Sequence, residues 1–424
     1  MARFRVKTVL ASDGERLPML IGSDGSPVWG AMVFVLTELR ARNRAASTIE
    51  NTLRALMIFQ VFLEQRGINL EQRMSSGRIL GLDEIEDLVR ICRLPVEDIG
   101  DVGSEDRISE FHSSAVSLEH YRSRRIVQER KEIVPAFSAT RLRCIRDYLK
   151  WAAVNRMSRL NGNSEIRLAL DAATRFLVEG IEARLPPAES RGVLSGREGL
   201  EPEVVSELLR VIQADSTDNP WHDDHSRHRN ELIVLWLYYL GLRRGELLGV
   251  RVSDIDFRKG TVVIARRADD KNDPRRRQPN AKTRAREIPL ASDLLEKTSN
   301  YVMTFRAKLS GARKHGFLFV TSDTGRPMSI PAFSKIFVVL REKCKNLPRN
   351  LFAHLLRHTW NDRFSEEMDR RGVAEETEKK TRSYLMGWSE TSGSAATYTR
   401  RHIRKKAEQA SLSMQEQILN GGSK

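Results

Sequence analysis

Cysteine is scarce in this chain. There are three in 424 residues, and Cys92, Cys144 and Cys344 stand far apart without CxxC spacing. That excludes a disulfide framework and a cysteine zinc site, and the three read as buried thiols. Long apolar runs are missing too. None approaches the roughly 20 residues that a membrane-spanning helix needs, and the opening MARFRVKTVL lacks a signal-like apolar core. The expectation is a soluble, intracellular protein with no membrane partner. No repeat of solenoid period and no low-complexity segment is visible. Acidic residues are in deficit, 56 against 71 lysines and arginines, which leaves a net charge of +15. A surplus of that size favours a polyanionic partner, with nucleic acid the first suspect.

What is present suits two domains, because 424 residues exceed one typical core. Residues 1–27 mix short β-prone runs with SDG turn signals and predict a small strand pair or arm. Residues 28–184 read as a helical domain. In STIENTLRALMIFQVFLEQRG, Ser47 and Glu50 are spaced as a capping box, Ile49, Leu53, Leu56, Met57 and Leu63 recur at helical intervals, and Gly67 is the stop. In FSATRLRCIRDYLKWAAVNR, Leu142, Ile145, Tyr148, Leu149 and Ala152 share one face while arginines and Lys150 hold the other. Two such helices suit clamping a duplex as well as they suit a solvated basic face. Residues 185–200, LPPAESRGVLSGREGL, predict the linker. Residues 201–424 form the second domain, with an apolar helix ending at Gly241 and two strands, in GTVVIARR and RAREIPL, separated by a long basic loop.

Four places in that second domain suit the handling of a phosphodiester. In GLRRGELLGV, Arg243 opens a helix where free N–H groups and the dipole favour an anion, and Glu246 lies three residues on to orient it. In PNAKTRAREIPL, Lys282 sits at the mouth of the hairpin as a general acid for an alkoxide leaving group, with Lys271 as its competitor. The arginines around it, Arg266, Arg267, Arg275, Arg276, Arg277, Arg284 and Arg286, read as phosphate contacts or solvated charge. In AHLLRHTW, His354 and Arg357 share a helical face, with His358 as a supporting donor. In LMGWSETSGSAATYTR, the Trp388 indole N–H suits a phosphate oxygen and Tyr398 is a nucleophile once cations and a base assist it. Arg400 and Arg401 follow as DNA contacts. The loop NPWHDDHSRH gathers His222, His225 and His228 beside Asp223 and Asp224, but its spacing matches no metal-ligand pattern and it reads as a polar loop and helix entry. No metal site is assigned.

In this order the residues resemble the tyrosine recombinases, the family of phage integrases and related site-specific recombinases. The resemblance rests on Arg243 with Glu246, Lys282, His354 with Arg357, Trp388 and Tyr398. It implies a mainly α fold with a small β-sheet, made of a helical N-terminal core-binding (SAM-like) domain and an α+β catalytic domain. It further implies that Tyr398 attacks DNA to give a 3′-phosphotyrosyl link, Arg243 and Arg357 hold the phosphate, Lys282 protonates the leaving 5′-oxygen and His354 takes the tyrosine proton. Neither metal nor cofactor is needed. The implied partners are double-stranded recombination sites, three further copies in a homotetramer that exchanges strands through a Holliday junction, and accessory DNA-bending or partner recombinase proteins. The tail AEQASLSMQEQILNGG is a candidate helix for docking on a neighbouring subunit, or on its own domain. The segment between the arginine helix and Trp388 is longer than usual in the family, and Trp388 to Tyr398 is one residue longer. A type IB topoisomerase-like enzyme and a catalytically silent DNA-binding regulator are the rival readings.

Overall fold

Alternation sets the N-terminal hairpin: Arg16, Pro18 and Leu20 point inward along one strand, as a period of two requires. The computed structural model describes residues 4–101, 132–162, 164–187, 199–279, 283–389 and 392–421. Strand β1 (Arg5–Leu10) pairs antiparallel with β2 (Arg16–Ile21), Val6 opposite Leu20. The chain divides into two compact units, Met1–Ala11 with Arg16–Ser190 and Ser12–Glu15 with Arg191–Lys424. Most of the expected linker lies outside the described residues.

The first unit is a helical bundle that carries this hairpin as part of its core. Its helices are α1 (Trp29–Phe34), α2 (Ala46–Arg66), α3 (Leu70–Ser75), α4 (Leu82–Cys92), α5 (Pro135–Met157) and α6 (Glu165–Glu182). The predicted faces are the buried ones: Ile49, Leu53, Leu56 and Leu63 of α2 meet Leu142, Ile145, Tyr148 and Leu149 of α5 in one apolar cluster. Gly67 ends α2 in the left-handed conformation at φ 64°, where a residue without Cβ is unstrained. The capping box is a correction. Helix α2 already begins at Ala46, so Ser47 stands inside its first turn, no side chain caps the helix, and Glu50 pairs with Arg54 at 2.8 Å.

The second unit is built around α8 (Asp224–Leu240), whose second half, Leu232 to Leu240, is apolar and buried on nearly every side, as an all-round apolar stretch of helix must be. Helix α7 (Pro202–Val211) packs on it, and α9 (Arg244–Gly249) follows the turn at its end. A three-stranded antiparallel meander comes next: β3 (Ile255–Asp256), β4 (Thr261–Ile264) and β5 (Arg286–Pro289). The two predicted strands are β4 and β5; the two-residue β3 carries too little pattern to announce itself. Helices α10 (Ser292–Asn300) and α11 (Ile330–Lys343) complete the core. The last three, α12 (Ala353–Arg370), α13 (Glu375–Met386) and α14 (Ser394–Gly421), meet around a small cluster of Met386, Trp388 and Ala395 with Trp360 and Tyr398. No helix among the described residues is long and apolar enough to cross a membrane.

Candidate active site

Two left-handed glycines deliver the site. Gly241 ends α8 at φ 59°, so the chain reverses and Arg243 becomes the N-cap of α9. Gly387 ends α13 at φ 64°, and the Trp388 N–H reaches back to the Ser383 carbonyl at 2.9 Å, a Schellman closure that returns Trp388 to the cluster. The Gly387 carbonyl accepts from the Arg284 N–H at 3.0 Å, which ties the start of β5 to the same place.

The hub is Glu246, whose side chain is fully buried. One oxygen accepts from the Arg243 N–H at 2.9 Å and from Arg286 Nη2 at 3.1 Å; the other accepts from Thr283 Oγ1 at 2.5 Å and from Arg243 Nη1 at 3.4 Å. Arg357 Nη1 lies 3.7 Å away and also donates to the Gly241 carbonyl at 2.6 Å. Burial works to raise the Glu246 carboxyl, but Arg286 and Arg357 outweigh it and hold it below the usual carboxylate range. One carboxylate among three guanidiniums leaves the cluster cationic, which suits an incoming anion. Arg357 is 1% exposed, and burial together with the like charge of Arg243 brings its pKa down to about 9. Arg243 keeps 31% of its side chain exposed, so its fork remains open to a ligand.

Tyr398 stands in the second turn of α14. Its hydroxyl is 2.9 Å from His358 Nδ1, and its ring stacks on Trp388 with centroids 5.7 Å apart and planes 8° from parallel. With the imidazole proton on Nε2, Nδ1 accepts from the hydroxyl. Burial raises the phenol pKa while Arg357, Arg243 and Arg382 pull it back part of the way. Trp388 Nε1 is buried and has no hydrogen-bond partner among the described residues. A buried indole N–H of that kind suits a hydrogen bond to a phosphate oxygen. His354 lies exposed one turn before His358, their rings edge to face at 4.7 Å.

The structure thus brings together Arg243, Glu246, Arg357, His358, Trp388 and Tyr398, with His354 alongside. It is His358, expected in a supporting role, that pairs with the tyrosine hydroxyl. Lys282 lies outside the described residues, as do the side chains of Arg400 and Arg401; the described chain resumes at Thr283, bonded to the hub. Lys271 is exposed.

Three of the expected DNA contacts need correction. Arg286 is buried at the hub and donates to the Leu385 carbonyl at 2.6 Å, because strand alternation sets it on the same face as Ile288. Arg275 is also buried: it pairs with Asp273 at 2.8 Å, donates to the Leu248 and Met328 carbonyls, and lies over Phe317. Arg267 is committed to Asp254 through two hydrogen bonds of 3.0 and 2.5 Å. Arg266, Arg276, Arg277 and Arg284 stay exposed. Sequence reading also missed Thr283 and Arg286 as hub members; the Arg286, Ile288, Leu290 alternation was the available signal.

The histidine-rich loop resolves into helix entry. Asp223 caps α8 by accepting from the Ser226 N–H at 2.7 Å, His228 Nδ1 meets the Asp224 carbonyl at 2.9 Å, and burial lowers the His225 pKa to about 4 beside Ser322. Among the described residues no group of three His, Cys, Asp or Glu side chains is placed to hold a metal ion.

Comparison with known proteins finds that residues 199–402 match the model of the phage integrase family. Tyrosine recombinase XerD of Halalkalibacterium halodurans is 26% identical over 179 residues, 41% of this chain and 54% of that protein, so the chain spans about half of this relative's length. Tyrosine recombinase XerA of Thermococcus kodakarensis is 28% identical over 290 residues, 63% of this chain and 86% of that protein. Among solved structures, the integrase of transposon Tn1549 in complex with a circular intermediate DNA aligns over 69% of this chain and 97% of that one, at 17% identity and a TM-score of 0.39.

Proposed function

Because the chain belongs, through residues 199–402, to the phage integrase family of tyrosine recombinases, we propose that it is a site-specific DNA recombinase whose nucleophile is Tyr398. The observation that carries this reading is the setting of one hydroxyl: 2.9 Å from His358 Nδ1, stacked on a tryptophan whose N–H has no partner among the described residues, beside the buried Arg357. The hydroxyl oxygen attacks a DNA phosphorus and its proton passes to His358. A 3′-phosphotyrosyl bond forms as the bond to the 5′-oxygen breaks, and that oxygen takes a proton from a lysine. Thr283 on the hub supports Lys282 over Lys271 for this role, since it brings the loop end to Glu246. Arg243, Arg357 and the Trp388 N–H stabilise the charge on the non-bridging oxygens, the electrostatic part of phosphoryl transfer. The phosphodiester energy is retained in the covalent bond, so a 5′-hydroxyl from a partner strand reverses the step and completes the exchange.

Strand exchange needs two duplexes, and we place the protein as a homotetramer working through a Holliday junction, with DNA-bending or partner recombinase proteins as accessories. The tail of α14 supports this. Ala395 and Thr399 are buried, whereas Ile403, Leu412 and Met414 are 50, 58 and 63% exposed, an apolar set open to a neighbouring copy.

The test is covalent trapping. Wild-type protein incubated with fragments of host DNA and denatured in SDS is expected to give a protease-sensitive adduct, and Tyr398→Phe none while still binding. DNA binding without any adduct from wild type sinks the enzymatic reading in favour of a silent regulator. Supercoil relaxation without joint products points instead to a topoisomerase-like enzyme.

A further inference from the structure

Two stripes, polar except for Met386, face each other between α12 and α13. On α12 they are Arg357, Asn361 and Ser365, and on α13 Glu378, Arg382 and Met386, each set spaced i, i+4, i+8 and so on one helix face. Arg382 is 0% exposed, and Glu378, Ser365 and Asn361 are buried with it. Its Nη2 pairs with Glu378 and donates to Ser365 Oγ at 2.5 Å, while Nη1 reaches the Asn361 carbonyl at 3.4 Å. Asn361 Nδ2 in turn donates to the Arg357 carbonyl at 2.8 Å. A ladder of hydrogen bonds therefore runs from Arg357 to Arg382, and the Arg382 guanidinium lies 5.8 Å from the centre of the Tyr398 ring.

Glu378 and Arg382 have the i, i+4 spacing of an ordinary surface ion pair. Burial changes its meaning. A buried ion pair is a poor source of stability, since apolar residues of similar volume hold a helix interface as well or better. What an apolar pair does not supply is a cation against the tyrosine, where it interacts with the ring and with charge on its oxygen.

We propose that Arg382 is a positioning residue for cleavage: it fixes the Tyr398 ring against Trp388 and sets a third guanidinium, beside Arg243 and Arg357, near the charge that grows on the phenolic oxygen. Its role in cleavage rests on the recombinase reading; its coupling to Tyr398 does not. The downward pull of Arg382 on the phenol agrees with this placement.

The test uses the full chain with a fluorinated tyrosine at position 398, whose lower phenol pKa brings ionisation into the neutral range, followed by fluorine NMR. Glu378→Gln combined with Arg382→Met removes both charges and leaves no lone ion; Glu378→Gln with Arg382→Gln is the alternative if the first fails to fold. The folded double variant is expected to titrate about one unit higher than the parent, while Arg382→Lys stays close to it. On host DNA fragments, with ordinary tyrosine at 398, the double variant is expected to form adduct about tenfold more slowly near neutral pH, with its pH profile displaced to the alkaline side by the same unit. An unchanged titration in a folded double variant overturns the proposal. A displaced titration in a protein that never forms adduct upholds the coupling and removes the recombinase reading instead.

Discussion

Glu246 answers three arginines with one carboxylate, so its removal leaves the buried Arg286 and Arg357, and the partly exposed Arg243, without that counter-ion. Glu246→Gln is expected to destabilise the second unit by about 3–5 kcal/mol at neutral pH, read by chemical denaturation. Its pKa is held below the ordinary 4.5, so its contribution is present above that value and lost as pH falls through the depressed one. Melting temperatures taken from neutral to acid pH should therefore show the gap between wild type and variant closing below about pH 4.5. Arginines from one basic stretch separate in the same way. Arg286→Ala is expected to cost stability, because it strips a buried partner from Glu246. Arg284→Ala should leave stability within about 0.5 kcal/mol and, if it meets a phosphate, reduce the salt slope of DNA binding by about one. Equal effects of the two on folding would contradict the burial pattern. Composition presented these side chains as equivalent; only strand alternation distinguishes them.

At the scale of elements, Gly387 joins α13 to the site and has no room for a side chain. A Cβ there would meet Arg286 Nη1 at 2.7 Å and the Arg284 carbonyl at 2.9 Å, with φ already at +64°. Gly387→Ala is expected to destabilise by about 1–3 kcal/mol and to displace Trp388, measured by denaturation and by loss of covalent adduct. Glycine stops of this kind are legible in the sequence, as Gly67 and Gly241 show; so are the strands β4 and β5 and the inward faces of α2 and α5, because each writes a local period or a local backbone need into the chain. The Ser47–Glu50 spacing misled, since a capping pattern does not say whether the helix begins one residue earlier. The order of Arg243, Glu246, Arg357, Trp388 and Tyr398 marked the candidates for one site. The pairing of Tyr398 with His358, and the burial of Arg286 and Arg382, depend on how separate elements pack, and no local pattern carries that.

At the scale of the whole molecule, the tail offers a separable prediction. Deleting the chain from Ser411 onward removes exposed residues of α14, Leu412 and Met414 among them, so the melting temperature should stay within a few degrees of wild type. Light scattering on DNA should then show the tetramer weakened or lost, and an unchanged tetramer would count against the tail as its contact. Helix α14 is also a single uninterrupted rod of 28 residues, about 42 Å long at 1.5 Å per residue. Its first turns, which carry Tyr398, are wedged against α12 and α13, and His402 and Lys406 both hold Asp369 of α12. The Asp369 contact acts as a fulcrum, with Tyr398 on the short arm and the tail on the long one. A rigid helix held there passes a tilt of its far part back to Tyr398 on a smaller scale, and on the recombinase reading a misplacement of about 1 Å at the hydroxyl is worth about a hundredfold in rate. On that reading, a contact along the far part of this rod bears on the hydroxyl without touching it.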